Sequence, residues 1–267
     1  MGRDNCKECP IGTICAYSYL FETPIAESAT IMRKYTQAPH PFVFEPNESG
    51  KPRVQEGDSV DHSLVVIGGA VRYLPYFFLA IERLGENGLG GDLVPFRVDR
   101  VVTADGITLF EQPRRGHFDA AKLRGLLVEP GKSRTAAFQV VLQTPARITV
   151  NGRLTETPTL PDMVRALARR VFLLRYFHCD GGDNPLSDDF VEAAKAAHCL
   201  DARFHWEDAD RYSTRQQQRV PIGGIVGRLS CEGDFGLLEP LLRAGEYVHV
   251  GKNATFGLGK LAVTEGG

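Results

Sequence analysis

The sequence predicts an α+β fold built from two related units, each an antiparallel sheet with helices on one face. Strand-like and helix-like runs alternate along both halves of the chain. Two glycine motifs also recur: Ile67-Gly68-Gly69 returns as Ile222-Gly223-Gly224, and Gly88-Leu89-Gly90 returns as Gly257-Leu258-Gly259. We place the units at residues 1–135 and 136–267, with the polar segment 111–135 as a linker.

The first unit is predicted to contain a short helix near residues 11–21 and strands at residues 41–44, 63–67 and 96–102. The second of these strands is apolar after its first residue and ends at a glycine pair, as a buried strand does. Residues 70–84 place apolar side chains on one helical face, and Pro75 either kinks this helix or marks its start.

The second unit opens with two predicted strands, at residues 138–142 and 146–150. A helix follows over residues 163–174, with apolar residues at helical spacing and Thr159 or Asp162 as its N-cap. The rest is expected to be a helix at 188–198, strands at 203–206 and 220–229, a short helix at 235–243, a strand at 247–250, a glycine-rich loop at 251–259 and a final strand.

Composition excludes some classes of protein. The chain has 267 residues, with 31 Lys and Arg against 33 Asp and Glu, so its net charge of −2 excludes a polycation that coats nucleic acid by bulk charge. No apolar run approaches the roughly 18 residues that span a bilayer, and the N-terminus shows no signal-peptide core. We therefore expect a cytoplasmic protein that does not enter a membrane.

Three cysteines, Cys6, Cys9 and Cys15, crowd the first fifteen residues. In a reducing compartment such spacing favours thiolate metal ligands over disulfides, so part of a structural zinc or iron–sulfur site is one interpretation. Three sulfurs do not complete a four-coordinate site, and no fourth ligand stands nearby. Three unrelated thiols are therefore the alternative.

The glycine-rich loop at 251–259 is the most informative feature of the C-terminal end. Glycines let backbone N–H groups approach a bound group closely, and successive N–H groups form a nest for anions. Lys252 adds a positive charge, so a phosphate fits this loop. Ordinary turn-forming glycines are the alternative.

A basic segment, residues 211–219, holds three Arg and no acid, together with a tyrosine and several amide and hydroxyl donors. This composition suits an RNA backbone and unstacked bases, although acidic residues just before it also allow a salt-bridged surface hairpin. A further set follows helical spacing and is interpreted as a solvated helix face: Arg165, Arg169, Arg170 and Arg175.

Two of the seven histidines are candidates for acid–base chemistry. His249 is expected on a strand beside the glycine-rich loop, next to the phosphate that the loop would hold. His40 lies between two prolines, which hold it rigidly. No zinc-hydrolase motif occurs, which argues against a hydrolytic metal centre.

Several motifs occur in a fixed order along the chain. They are Cys6-x2-Cys9-Pro10-x4-Cys15-x-Tyr17-x-Tyr19-Leu20-Phe21-Glu22-Thr23-Pro24, Ala38-Pro39-His40-Pro41-Phe42-Val43, Tyr73-Leu74-Pro75-Tyr76-Phe77, Arg211-Tyr212-Ser213-x-Arg215-Gln216, Gly223-Gly224-x2-Gly227 and Gly245-Glu246-x2-His249-Val250-Gly251-Lys252-x2-Thr255-Phe256-Gly257-Leu258-Gly259. This series resembles the CRISPR-associated precursor-RNA-processing endoribonucleases of the repeat-associated mysterious protein (RAMP) superfamily. The resemblance is strongest over residues 136–260.

The resemblance implies two tandem ferredoxin-like, RRM-like domains that bind CRISPR repeat RNA and its crRNA product in antiviral defence. It also implies cleavage without a metal or other cofactor: the 2′-hydroxyl attacks the scissile phosphate and leaves a 2′,3′-cyclic phosphate. His249, His40 and Tyr212 are the candidate catalytic residues. The RNA-binding residues that it implies are Arg211, Arg215, Gln216, Lys252, Asn253, Gly257, Leu258 and Gly259.

Two points stay open at the level of sequence. The chain starts almost at the first cysteine, so we expect the first domain to lack its opening strand and helix. A non-catalytic crRNA-binding subunit, assembled with other CRISPR effector subunits, is the alternative function on the same folds. A protein held together by metal at the cysteine cluster is a third hypothesis.

Overall fold

The computed structural model describes residues 6, 9–12, 14–25, 29–32, 35, 37–46, 55–90, 92–112, 132–179, 188–213 and 217–266. The chain forms two compact units, Met1–Gly68 with Val128–Gly267, and Gly69–Leu127. The predicted boundary between residues 135 and 136 stays a prediction. None of the described helices is both long enough and apolar enough to cross a membrane.

Four α-helices and twelve strands are described, and three short helical turns accompany them. In chain order they are a π-turn (Ser18–Glu22), β1 (Phe42–Glu45), β2 (Ser63–Val66), a 3₁₀ turn (Gly68–Tyr73), α1 (Leu74–Asn87), β3 (Arg100–Val102), β4 (Thr108–Glu111), β5 (Thr135–Ala146), β6 (Thr149–Val150), β7 (Arg153–Leu154), α2 (Leu160–His178), α3 (Asp189–Ala196), β8 (His198–Glu207), β9 (Asp210–Ser213), β10 (Gln218–Pro221), β11 (Gly224–Asp234), α4 (Phe235–Val248), a 3₁₀ turn (Ala254–Phe256) and β12 (Leu261–Glu265).

The C-terminal part of the larger unit is organised around a four-stranded sheet in the order β12-β5-β11-β8. Each neighbouring pair is antiparallel. Helix α2 lies between β5 and β8 in the chain, and α4 lies between β11 and β12. This β-α-β-β-α-β order with β5 and β11 in the centre is the ferredoxin-like topology. The predicted α+β class with antiparallel sheets is confirmed.

Helix α2 begins where the sequence predicts. Thr159 is the N-cap and accepts a hydrogen bond from the Asp162 backbone N–H, while the Asp162 carboxylate accepts one from the Thr159 N–H. This capping box satisfies two backbone donors that the first helical turn leaves without partners. The apolar face buries Met163, Val164 and Leu167 against the sheet core. Complete burial of such a side chain stabilises the fold by about 1.5–3 kcal/mol.

Helix α4 is longer than predicted. Asp234 caps its start by accepting a hydrogen bond from the Leu237 N–H, and the helix continues to Val248. The strand predicted at residues 247–250 is therefore wrong: Tyr247 and Val248 are helical, and His249 ends the helix. The buried positions Leu238, Leu241, Leu242 and Gly245 keep helical spacing, so core packing extends the helix through this segment.

The remaining elements form smaller sheets. In the larger unit, β1 pairs with β2 in antiparallel register. In the smaller unit, β3 pairs with β4, and α1 begins with Pro75 in its first turn, where a proline needs no backbone N–H. Phe78 of α1 packs on Phe110 of β4 at 4.7 Å between ring centroids. Pro75 thus marks the start of this helix.

Candidate functional site

His40 lies directly before β1, in a segment held from both sides. Its Nδ1 is 3.3 Å from the hydroxyl oxygen of Thr23. The single hydroxyl proton of Thr23 is donated to the carbonyl oxygen of Ala38, so Thr23 Oγ1 accepts at His40. The imidazole also stacks on Phe42 at 5.9 Å between ring centroids. These contacts fix the orientation of the ring while the side chain stays partly exposed.

A second histidine, His178, supports this segment from the end of α2. Its Nε2 donates a hydrogen bond of 2.6 Å to the carbonyl oxygen of Pro39, and its Nδ1 lies 3.3 Å from the hydroxyl of Tyr19. A carbonyl only accepts, so Nε2 carries a proton and neutral His178 can accept at Nδ1. The buried His178 therefore positions the residue that precedes His40.

The surroundings favour the neutral form of both imidazoles. Partial burial is the main cause that lowers the pKa of His40 below 6.5; the charge of Arg170 lowers it further, whereas the Leu20 carbonyl and Glu22 oppose the shift. Burial also lowers the pKa of His178. A partly exposed, neutral imidazole such as that of His40 can accept a proton at neutral pH, which is what general-base chemistry requires.

Arg170 of α2 is a cation whose charge contributes to the lowered pKa of His40. Its Nε donates a hydrogen bond to the carbonyl oxygen of Val248. Its Nη2 is buried and has no hydrogen-bond partner within the described part of the chain. Burial lowers the pKa of Arg170 to about 10. The sequence placed Arg170 on a solvated helix face, and this interpretation is wrong for Arg170, although Arg165 and Arg169 of the same set are exposed.

The glycine-rich loop packs tightly against the rest of the larger unit. A Cβ on Gly259 would lie 1.9 Å from the Val250 carbonyl oxygen, and one on Gly257 would meet the proline ring of Pro46 at 2.7 Å. Both glycines also have positive φ. Close approach of neighbouring backbone therefore explains why glycine occupies positions 257 and 259, whether or not the loop binds a ligand.

Four backbone N–H groups of the loop are already hydrogen-bonded and are not available to the expected anion nest. The N–H groups of Lys252, Phe256, Gly257 and Gly259 all donate to backbone carbonyls. Leu258 is buried, whereas Lys252 is exposed. Of the predicted RNA-binding residues in the loop, Lys252 and the partly exposed Asn253 are thus accessible to a ligand, and Gly257, Leu258 and Gly259 shape the loop.

His249 lies beneath this loop and is inaccessible to solvent. Its Nδ1 is 3.1 Å from the carbonyl oxygen of Leu258, and its Nε2 is 2.8 Å from Oε1 of Glu45. Both ring nitrogens of His249 therefore face an oxygen acceptor. Glu45 also pairs with Lys260 at 3.3 Å. The hydrogen bond from His249 is the largest cause that lowers the pKa of Glu45.

The basic segment at 211–219 meets the loop through an arginine. Residues of β9 and β10 form a hairpin, and the guanidinium of Arg211 lies 4.4 Å from the centroid of the Phe256 ring. Phe256 is 46% exposed, and Tyr212 next to Arg211 is 58% exposed. The Tyr212 hydroxyl donates a hydrogen bond to Gln217. Arg215 and Gln216 lie outside the described residues.

The structure therefore groups the predicted residues in two places. His40 stands in the histidine cluster with Thr23 and His178, whereas the Arg211 guanidinium lies over the exposed Phe256 of the glycine-rich loop. Lys252 and Asn253 belong to that loop, and Tyr212 follows Arg211 in β9. His249 joins neither accessible surface. Sequence reasoning missed Arg170, His178 and Glu45 because their partners lie far away in the chain; for Phe256, the motif itself contained the signal.

The three N-terminal cysteines are the predicted candidates for metal ligation. The thiols of Cys6, Cys9 and Cys15 are partly exposed and free. Partial burial, then the charges of Glu22 and the other two thiols, raise the pKa of Cys6. Within the described residues no group of three or more His, Cys, Asp and Glu side chains is arranged to hold a metal ion. A structural metal at these cysteines stays a prediction.

Two family models match parts of the chain. Residues 140–261 match the family model of the CRISPR-associated endoribonuclease Cas6, and residues 1–121 match a second model described as an N-terminal domain. No curated protein matches the chain significantly.

Solved structures share the fold. A Cas6 product complex from Thermus thermophilus has a TM-score of 0.54 at 16% identity, over 85% of this chain and 84% of that chain. The partial and the full Cas6-RT-Cas1–Cas2 complexes each have a TM-score of 0.52 at 17% identity over 84% of this chain. The chain spans only 39% and 24% of those two longer chains. The predicted resemblance to CRISPR-associated precursor-RNA-processing endoribonucleases is thereby confirmed, and residues 140–261 of this chain match the family model of the CRISPR-associated endoribonuclease Cas6.

Proposed function

We propose that the protein is an endoribonuclease that cuts CRISPR repeat RNA, with His40 as the general base. The observation that carries this proposal is the geometry of His40: a partly exposed imidazole, kept neutral by its surroundings and oriented by Thr23. The base takes the proton of the 2′-hydroxyl, which attacks the adjacent phosphate. The products are a 2′,3′-cyclic phosphate and a 5′-hydroxyl.

The proposed RNA surface lies around the glycine-rich loop. Lys252 is exposed and forms no ion pair with any described residue, so it is available to a phosphate. Arg211 and Phe256 offer a cation and an aromatic face for an unpaired base. The Cas6 family model that matches residues 140–261 supports RNA as the ligand, and one solved structure that shares the fold is a Cas6 product complex. A local surface of this kind is compatible with a net charge of −2.

Two predicted catalytic residues receive other roles in this proposal. His249 has no accessible ring atom and uses both nitrogens, so it holds the loop on β1 through Glu45. Tyr212 is exposed beside Arg211 and serves as an RNA contact. Cleavage requires no metal in this scheme, because a base and cationic stabilisers suffice for phosphodiester transfer.

The test uses end-labelled repeat RNA with the purified full chain in excess EDTA, resolved on a denaturing gel. We expect a single cut that leaves a cyclic phosphate and that a 2′-deoxy substitution at the scissile nucleotide abolishes. A His40→Ala variant should cut roughly 10²–10⁴ times more slowly while binding RNA as before. His205→Ala changes an exposed histidine of β8 and is the matched control.

Each outcome discriminates between functions. Normal cleavage by His40→Ala would overturn the assignment of the base. RNA that binds tightly but stays intact in every condition would contradict the nuclease and favour the alternative, a crRNA-binding subunit that works with other CRISPR effector subunits. Loss of cleavage in EDTA, restored by a divalent metal, would contradict the metal-independent mechanism.

A further inference from the structure

Two cysteines lie opposite each other in the four-stranded sheet of the larger unit. Cys199 of β8 and Cys231 of β11 are partners in the antiparallel register of these strands. Directly opposed residues of an antiparallel pair have their Cα atoms about 4.5–5.5 Å apart, and their side chains share one face of the sheet. A disulfide bond requires Cα atoms about 4.4–6.8 Å apart. The backbone therefore already places the two residues for a disulfide.

A β-bulge creates this pairing. Over most of their length, β8 and β11 pair in one continuous register that ends with Ser230 opposite Asp201. Continued without interruption, this register would place Leu200 opposite Cys231. The register instead shifts after Ser230, so that Leu200 is the extra residue and Cys199 takes the position opposite Cys231. Bulges re-aim side chains at the edges of sheets, and this one brings two thiols together.

The two thiols have different surroundings. Cys231 is buried in the hydrophobic core, whereas Cys199 is exposed. Cys199 also lines a surface cleft together with Ala194, Ala197 and Phe204, so a small oxidant can reach its sulfur. Burial is the main cause that raises the pKa of Cys231, and a hydrogen bond with Cys199 and the charge of that thiol raise it further. Cys231 thus stays protonated, and Cys199 is the thiol that an oxidant meets first.

We propose that Cys199 and Cys231 form a redox-sensitive site, in which hydrogen peroxide converts the two thiols to a cross-strand disulfide. The Cys199 sulfur attacks one peroxide oxygen and becomes a sulfenic acid, and the other oxygen leaves as water with the thiol proton. The Cys231 sulfur then attacks the Cys199 sulfur, the S–OH bond breaks, and the hydroxyl leaves as water with the Cys231 proton. Two thiols and one peroxide thereby give one disulfide and two waters. This site does not depend on the proposed RNA chemistry.

The disulfide joins an edge strand to a central strand. Among the described strands of the sheet, β8 pairs with β11 alone, and the β9–β10 hairpin follows β8 in the chain. The bond closes a loop over residues 199–231 that includes the whole hairpin, and such a loop restricts the unfolded chain. We therefore expect the oxidised protein to unfold at a urea midpoint roughly 1 M above that of the reduced protein.

Peptide mapping by mass spectrometry tests the pairing in the full chain. The folded, reduced protein is treated with hydrogen peroxide, the remaining thiols are alkylated, and trypsin digestion follows without a reductant. Trypsin releases Cys199 and Cys231 in separate peptides, residues 196–203 and 229–243. We expect these peptides to appear joined, with the loss of two hydrogens, and to separate when dithiothreitol is added. Alkylation of both cysteines, or a bond from Cys199 to a different cysteine, would overturn the proposal.

Variants test the order of the two steps. Cys231→Ala should accumulate a sulfenic acid at Cys199, which dimedone traps. Cys199→Ser should leave Cys231 unoxidised and abolish the shift of the urea midpoint. This change is at an exposed position, so it serves if Cys231→Ala does not fold. Cys179→Ser alters another exposed cysteine and is the matched control, which should give the joined peptides as the wild type does.

Two further results would contradict the site. Oxidation of Cys231 in the Cys199→Ser variant would show that the exposed thiol is not the point of entry. Joined peptides in a protein whose urea midpoint does not rise would show that the folded sheet does not accommodate the bond. Either result overturns a disulfide that forms across β8 and β11 in the native protein.

Discussion

His249 combines a buried side chain with a backbone conformation that residues with a Cβ rarely adopt. Its φ of 62° and ψ of 169° fall in a region that is nearly restricted to glycine and that costs other residues about 1–3 kcal/mol. Its ring nitrogens hold the Leu258 carbonyl and the Glu45 carboxylate. Replacement by alanine and by glycine separates these two contributions, because only glycine removes the strain.

The hydrogen bonds set the cost of losing the ring. The bond to the charged Glu45 is worth about 1.5–3 kcal/mol and the bond to the Leu258 carbonyl about 1 kcal/mol, so His249→Ala should lower the free energy of unfolding by roughly 3 kcal/mol. His249→Gly loses the same bonds and recovers about 1–3 kcal/mol of strain. Greater freedom of glycine in the unfolded chain takes back about 0.4–1 kcal/mol. The glycine variant should therefore be the more stable by about 1 kcal/mol.

Urea unfolding of the full chain, followed by circular dichroism, measures this difference as a shift of the midpoint at constant slope. The matched control is His205, an exposed residue in β8 without positive φ, where glycine should be less stable than alanine. If His249→Gly is no more stable than His249→Ala, the strained conformation does not carry the stated cost. If neither variant loses stability, His249 does not anchor the loop.

Two further predictions concern pH and RNA. The single-turnover cleavage rate should rise with pH through a midpoint below 6.5, because burial lowers the pKa of His40 and the base must be neutral; rates measured between about pH 5 and pH 8 that show a midpoint above 6.5 would contradict the assignment. Phe256→Leu should weaken RNA binding by about 1–3 kcal/mol with an unchanged salt dependence, since it removes stacking, whereas Lys252→Met should reduce the salt slope. Filter-binding titrations at several salt concentrations distinguish the two, and equal slopes in both variants would refute the division of roles.

His40 and His178 also make the stability of the fold depend on pH. His40 and His178 both have lowered pKa values in the folded protein, so the unfolded chain binds more protons below the ordinary value of 6.5. Their contribution to stability is complete above that value and is lost as the pH falls through the folded values. Acid therefore impairs the cluster through stability and through protonation of the base, and activity must be normalised to the folded fraction.

Local signals in the sequence predicted much of the C-terminal domain. The start of α2 at Thr159 follows from cap chemistry and helical periodicity, which act over a few residues. The predicted end of α4 was wrong because residues 247–250 alternate as they would in a strand. Periodicity over only four residues does not distinguish a strand from a helix. The preceding turns of α4 pack into the core, and this packing continues the helix to Val248. The alternation of residues 247–250 does not reveal it.

The candidate site was harder to predict because its partners are distant in sequence. The contact between His178 and Pro39 spans 139 residues, and that between His249 and Glu45 spans 204. Arg170 shares its helical spacing with the exposed Arg165 and Arg169, so nothing local in the sequence marks its Nη2 atom as buried. The sequence predicts that flanking prolines hold His40 rigidly, but the residues that orient its ring follow only from the folded chain.

Strand β1 links the His40 segment to the glycine-rich loop. His40 precedes its first residue, and Glu45 at its end holds His249 and thus the base of the glycine-rich loop. Helix α2 contributes His178 to the first site and, through Arg170, contacts the carbonyl that precedes His249. The buried polar side chains therefore hold the His40 segment and the glycine-rich loop in place. Lys252, Phe256 and Tyr212 stay exposed. Because one strand and one helix hold both surfaces, the fold fixes the distance between the glycine-rich loop and His40 that an RNA ligand would have to span under the proposed function.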